Sequence, residues 1–96
     1  MAHKTYMELE EVLRNASNKV VKGAAYRHYK GGIYIVQNMA IVESNEDIAV
    51  LYVSETNPTV IFVRPLQSWL EDVELNGTIT PRFTLLNELS PIQSTT

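Results

Sequence analysis

The chain has 96 residues, a formal net charge of -3 at pH 7 and no cysteine. A chain of this length fits one domain that buries roughly two-thirds of the surface its unfolded form exposes. The acidic balance argues against a protein that binds duplex nucleic acid mainly by neutralising phosphates. Without cysteine, disulfides, thiolate nucleophiles and zinc ribbons are excluded. The sequence contains no apolar run of membrane-spanning length and no signal segment at its start, so we expect a cytoplasmic protein.

The N-terminal part of the chain has the pattern of an amphipathic helix. Thr5 is followed three residues later by Glu8, which is a capping-box spacing. Apolar residues then recur at helical intervals: Tyr6, Leu9, Val12, Leu13, Ala16 and Val20. The pattern predicts a helix from Thr5 to about Lys19, within an N-terminal extension over residues 1–22.

After Gly23 the sequence changes to short β-rich runs separated by turn residues. Strands are predicted over residues 25–29, 33–42, 48–54 and 59–63, followed by a late hairpin whose turn is Asn76-Gly77. Pro65 begins a single predicted helical turn that runs to Leu70. This order is typical of a mainly β fold: a small Src-homology-3-type antiparallel barrel over residues 23–86, with the N-terminal α-helix covering it. We expect residues 87–96 to form a flexible tail.

Three motifs carry a resemblance to a known family. They are YRHYKG at residues 26–31, VRPL at 63–66 and PRF at 81–83, with Tyr34, Val36, Ala40, Tyr52, Glu71 and Val73 at compatible spacing. On these residues the chain resembles the bacterial domain-of-unknown-function family 1653, over about residues 23–83. The resemblance implies the same small barrel, but it implies no activity. Residues 41–45 depart from the family pattern x-His-Ser-Glu-Thr, so the loop histidine of that pattern is absent.

Arg27, Arg64 and Arg82 come from distant parts of the chain, and each lies in one of these motifs. If the three converge at one end of the fold, they form a site for phosphate or carboxylate. In the alternative interpretation they form ion pairs with Glu71, Asp72 and Glu74, and their role is only to stabilise the fold. Surface ion pairs of that kind are common and contribute little to stability.

The aromatic residues and the histidine also have two interpretations. Tyr34 and Trp69 are expected in the core, whereas Tyr29 and Tyr52 are the better candidates for a surface role. Strand alternation places His28 and Tyr26 on one face, opposite Arg27 and Tyr29. A lone histidine lacks the further ligands of a zinc site, so we expect His28 to be structural and predict no metal and no cofactor.

The sequence therefore favours a non-catalytic binding module for a small anionic or nucleotide-like ligand, held by Arg27, Tyr29, Tyr52, Arg64 and Arg82. The alternative is a structural or accessory protein that uses the apolar stripe of its N-terminal helix to bind a protein partner or a second copy of itself. An enzyme is the third possibility, because Ser44, Ser54 and Ser68 carry no triad or elbow signature. Neither duplex nucleic acid nor a membrane is expected as a partner.

Overall fold

The structure is a computed structural model that describes residues 3–86. These residues form two helices and seven strands in the order α1 (Tyr6–Ala16), β1 (Ala25–His28), β2 (Ile33–Val42), β3 (Asp47–Ser54), β4 (Ile61–Pro65), α2 (Leu66–Trp69), β5 (Asp72–Leu75), β6 (Thr78–Pro81) and β7 (Phe83–Leu85). No helix within residues 3–86 has the length and apolar character needed to cross a membrane. The predicted tail over residues 87–96 lies outside the described residues.

Helix α1 begins at the predicted capping box. The Thr5 hydroxyl accepts a hydrogen bond from the Glu8 backbone N–H at 3.1 Å, and the Glu8 carboxylate accepts one from the Thr5 N–H at 2.8 Å. Both donors belong to the first turn, which otherwise has no partner for them. The helix ends at Ala16, three residues before the predicted end. Asn18 is a weak helix former, and the chain turns there to bury Val20 completely in the core.

Within residues 3–86, the larger sheet is antiparallel and has the strand order β4-β3-β2-β1-β7. The prediction of a mainly β fold with an N-terminal helix is confirmed. The sheet is not closed into a barrel, because its outermost strands β4 and β7 do not pair with each other. The chain between them forms α2 and the separate β5–β6 hairpin. A Src-homology-3 type remains a prediction.

The face of the larger sheet that carries the core is here called the inner face. Strand register places Val36 opposite Tyr52, and Val50 opposite Arg64, on this face. Helix α2 lays Trp69 onto it, where the indole stacks on the Phe83 ring with centroids 3.7 Å apart and planes 6° apart. Core members buried on or against this face are Val20, Tyr26, Val36, Val50, Tyr52, Trp69 and Phe83.

The separate hairpin has the turn that its sequence predicts. Asn76 and Gly77 have φ angles of 54° and 82°. Positive φ at both central residues is what a type I′ turn requires, and Asn-Gly is its preferred sequence. Strand β4 begins at Ile61 rather than at Thr59, and β7 was not predicted as a strand. A run of three residues is too short for a period of two to be recognised.

Candidate functional site

A cavity of about 250 Å³, here called the aromatic pocket, opens on the inner face. Its walls come from five strands: His28 of β1, Tyr34 of β2, Tyr52 of β3, Phe62 and Arg64 of β4, and Phe83 of β7. Register explains how distant residues meet there. Tyr52 lies opposite Phe62 across β3–β4, and His28 lies opposite Phe83 across β1–β7. Side chains that are directly opposite on one face are neighbours.

Arg64 is the cation of the pocket. Its Nη1 donates to the Ser68 hydroxyl at 2.7 Å, and its Nε donates a longer hydrogen bond to the Tyr52 hydroxyl at 3.4 Å. Its guanidinium carbon lies 5.8 Å from the centroid of the Phe83 ring. The side chain is half-buried, and no ion pair joins it to any carboxylate within residues 3–86. Burial raises the cost of leaving a charge without a counter-ion, so Arg64 favours an anion beside it.

Arg82 lies near Arg64 but already has a carboxylate partner. Its Nη2 lies 3.0 Å from Oε1 of Glu71, and its Nε donates to the Ser68 carbonyl at 3.1 Å. Ser68 therefore joins the two arginines, through its hydroxyl to Arg64 and its carbonyl to Arg82. Of the ion pairs considered from the sequence, the Arg82–Glu71 pair is present, whereas the described residues give Arg64 none.

Arg27 lies elsewhere. It is exposed and pairs in the sheet with Ile33 and Thr84, on the face opposite to His28 and Tyr26. The three arginines therefore do not converge on one site. Alternation along β1 separates Arg27 from the pocket, because successive side chains of a strand point to opposite faces. Arg27 is therefore an arginine outside the aromatic pocket with which Arg64 can be compared.

Tyr29 and Tyr52 have different positions. Tyr29 is half-buried outside the lining of the pocket, with the Arg82 guanidinium carbon 6.0 Å from its ring centroid. The ring of Tyr52 belongs to the core, with only 7% of its surface exposed. It contacts Trp69 and Phe83 edge to face, at centroid distances of 5.0 and 5.8 Å. Only the hydroxyl of Tyr52 contacts Arg64, so the surface role predicted for this residue does not apply to its ring.

His28 forms one wall of the pocket. Its Nδ1 accepts a hydrogen bond from the Lys30 backbone N–H at 3.2 Å. Partial burial lowers the pKa of His28 below 6.5, and the positive charges of Arg64, Arg82 and Lys30 lower it further. At neutral pH the imidazole is therefore neutral, with its proton on Nε2, and it offers a hydrogen-bond donor rather than a second fixed charge.

A second cavity, of about 570 Å³, lies between the N-terminal segment and the β2–β3 turn. Glu46, one of the charged residues that line it, already has polar partners. The Glu46 carboxylate accepts from the Lys4 backbone N–H at 3.2 Å and lies 3.4 Å from Nδ1 of His3. Ile41, Glu43 and Ser44, which belong to the stretch predicted to depart from the family pattern, border this cavity rather than the aromatic pocket.

The aromatic pocket is suited to binding an anion on an apolar body. Within residues 3–86, no three His, Asp or Glu side chains come together in a way that holds a metal ion. Of the residues that line the pocket, Arg64 and Tyr52 are predicted from the sequence to bind a ligand, and His28 is predicted to be structural. Phe62 and Phe83 are not among the predicted site residues. Strand alternation in the sequence already indicated the position of His28, because it places this residue on the same face as the core residue Tyr26.

Comparison with known proteins supports the resemblance noted in the sequence. Residues 24–85 match the model of a family described as "Protein of unknown function (DUF1653)". The structure is similar to the crystal structure of a DUF1653 protein from Bordetella bronchiseptica, with a TM-score of 0.61 and 26% sequence identity. That match covers 76% of this chain and 96% of the Bordetella chain. No curated protein matches.

Proposed function

The chain belongs to the DUF1653 family, and we propose that it is a binding module whose aromatic pocket holds a small organic anion at Arg64. The observation that carries the proposal is the half-buried guanidinium of Arg64, which has no ion-pair partner within residues 3–86 and lies at the wall of an aromatic cavity. Ser68 and Tyr52 fix its orientation. A planar guanidinium held in this way is preorganised for a carboxylate or phosphate.

The size and lining of the pocket limit the classes of ligand that it can bind. Pockets for drug-sized ligands span about 300–1,000 Å³, and a cavity of about 250 Å³ is below that range. It accommodates the acidic head and one ring of a ligand rather than a whole nucleotide. The ring of Phe62, which is 45% exposed, offers apolar and edge-to-face contacts to such a ring. An aromatic carboxylate or an aryl phosphate therefore suits the pocket best.

The helix-mediated alternative has less support. Ala16 of α1 is buried, and Leu9, Val12 and Leu13 are half-buried, because the helix packs this stripe on β2 and β3. A stripe already covered by its own sheet has little apolar surface left for a partner. The exposed apolar residues of α1 are Tyr6 and Met7, at its first turn.

The proposal is tested by calorimetric titration with benzoate, phenyl phosphate and inorganic phosphate, with benzyl alcohol as the neutral ligand. We expect an aromatic anion to bind and benzyl alcohol not to bind. Arg64→Ala should weaken the binding at least tenfold, and Arg64→Lys should weaken it less, since the charge remains but the bidentate geometry is lost.

The matched control is Arg27→Ala, which removes an exposed arginine on the opposite face of the sheet. We expect it to change the affinity less than twofold, and circular dichroism should verify that each variant is folded. Equal losses of affinity in the Arg27 and Arg64 variants would indicate that the anion is attracted non-specifically by positive charge. If none of the anions binds the wild-type protein, the proposal is wrong.

A further inference from the structure

Strand β4 presents an exposed apolar edge directly beside the aromatic pocket. Within residues 3–86 it pairs only with β3, so its other backbone edge has no strand partner. Val60, Ile61, Phe62 and Val63 are between 45% and 63% exposed. Natural edge strands usually carry a charge, a bulge or a covering element that prevents pairing with other chains. This run has no charged residue before Arg64, and its proline, Pro65, stands at its end.

The two sides of β4 differ in a way that suits a strand partner. Phe62 and Arg64 lie on the inner face and line the aromatic pocket. Ile61 and Val63 lie on the other face, opposite Val53 and Leu51 of β3. A segment that added to this edge would alternate its own side chains between the pocket and the apolar surface of Ile61 and Val63.

We propose that β4 and the aromatic pocket together bind an extended peptide segment, which adds to the sheet along β4 and places an acidic side chain against Arg64. The inference rests on the proposed function and specifies its ligand: the anion is a carboxylate carried by a polypeptide. Backbone hydrogen bonds along β4 supply affinity, and the contact with Arg64 supplies selectivity. The five residues of β4 match a peptide segment of about 17 Å.

Charge complementarity favours a different chain over a second copy of this one. Residues 60–66 contain Arg64 and no Asp or Glu. Pairing β4 with β4 of another copy would bring two arginines to one interface without supplying a carboxylate to either. An acidic peptide, in contrast, supplies the counter-charge that the described residues do not give Arg64.

The experiment selects random octapeptides by mRNA display on the immobilised full-length protein and, in parallel, on Arg64→Ala. On the wild type we expect enrichment of sequences in which apolar residues alternate and one Asp or Glu recurs at a fixed position. On Arg64→Ala the acidic preference should disappear. Failure to enrich any sequence on the wild type would overturn the inference.

The best enriched peptide is then titrated unmodified and with its acidic side chain replaced by the corresponding amide. It is also titrated in two N-methylated forms: one phase carries methyl groups on the odd-numbered backbone nitrogens, and the other phase carries them on the even-numbered ones. The amide form should bind at least tenfold more weakly. One phase of N-methylation should abolish binding, because it removes the hydrogen bonds to β4, while the other phase should have little effect. Amide exchange at alternate residues of 60–64 should slow on peptide binding.

These outcomes separate the inference from the proposed function. If benzoate binds at Arg64 while both phases of N-methylation leave peptide affinity unchanged, the pocket binds anions but β4 adds no strand, and the inference fails alone. If peptides bind along β4 and Arg64→Ala leaves their affinity unchanged, Arg64 is not an anion site and the proposed function is wrong. Concentration-dependent dimerisation that protects the β4 amides without peptide would show that a second copy occupies the edge, which also contradicts the inference.

Discussion

At the residue scale, the difference between Arg27 and Arg64 shows how neighbours decide what a side chain can do. Both arginines lie in the region that matches the family, and both lie on strands of the larger sheet. Arg27 is exposed on the outer side, whereas Arg64 is half-buried at an aromatic cavity. The same positive charge is therefore well solvated in one place, and in the other it is partly desolvated with no ion-pair partner within residues 3–86.

His28 gives a prediction for the pH dependence of stability. Its pKa is lowered in the folded protein, so between this value and 6.5 the unfolded state binds more protons than the folded state. The stability that neutral His28 contributes is therefore complete above pH 6.5, and it is lost as the pH falls through the folded-state pKa. We expect urea denaturation between pH 7.5 and 5 to show a larger loss of stability in the wild type than in His28→Gln.

His3→Gln is the control for this comparison, because His3 is the other histidine of the chain and its side chain is exposed. Apart from the substituted histidine, the titratable groups are the same in all three proteins, so their contributions cancel in the differences. The prediction would be contradicted if the free energy of unfolding fell with decreasing pH by the same amount in the wild type and in His28→Gln.

At the scale of secondary structure, local sequence signals placed several elements correctly. The capping box located the start of α1, the Asn-Gly turn located the β5–β6 hairpin, and β2 has the predicted bounds, Ile33–Val42. These signals depend on residues a few positions apart, so they can be recognised without knowledge of tertiary contacts. The end of α1 and the short β7 were missed, because packing of Val20 and pairing with β1 determine them.

The capping box also makes a testable contribution to stability. Thr5→Ala removes the acceptor for the Glu8 N–H, and such losses at a helix N-cap cost about 1 kcal/mol. We expect the free energy of unfolding, measured by urea denaturation, to fall by about that amount. Thr5→Ser keeps a hydroxyl acceptor and should remain within ~0.5 kcal/mol of the wild type. Equal losses in the two variants would mean that the hydroxyl does not cap α1.

At the scale of the whole molecule, one aromatic cluster joins α2 to the larger sheet. Trp69 stacks on Phe83 and contacts Tyr26 and Tyr52 edge to face, which links β1, β3 and β7 through one side chain. Its indole is 2% exposed. Val20, which precedes the region matched by the family, belongs to the same core. The N-terminal segment is therefore part of the packed structure.

Removing the indole should weaken the entire fold. Trp→Ala in a core typically costs about 3–5 kcal/mol, a large share of the ~5–15 kcal/mol that stabilises a small domain. We expect Trp69→Ala to unfold at much lower urea concentration by circular dichroism. Trp69→Phe keeps a ring against Phe83 and should lose clearly less. A loss near 1 kcal/mol for Trp69→Ala would show that α2 is peripheral to the core.

The amino-acid sequence by itself determined the mainly β character, the helix start, the tight hairpin and the family, because each depends on local patterns and motifs. Only the tertiary structure decided that the sheet stays open and that Arg27 lies apart from Arg64 and Arg82. It also brought His28, Tyr52, Arg64 and Phe83 to one cavity. These residues are far apart in the chain, and strand order and register set their neighbours. The sequence supplied the charged and aromatic groups of the pocket, and the packing of the sheet determined which of them meet.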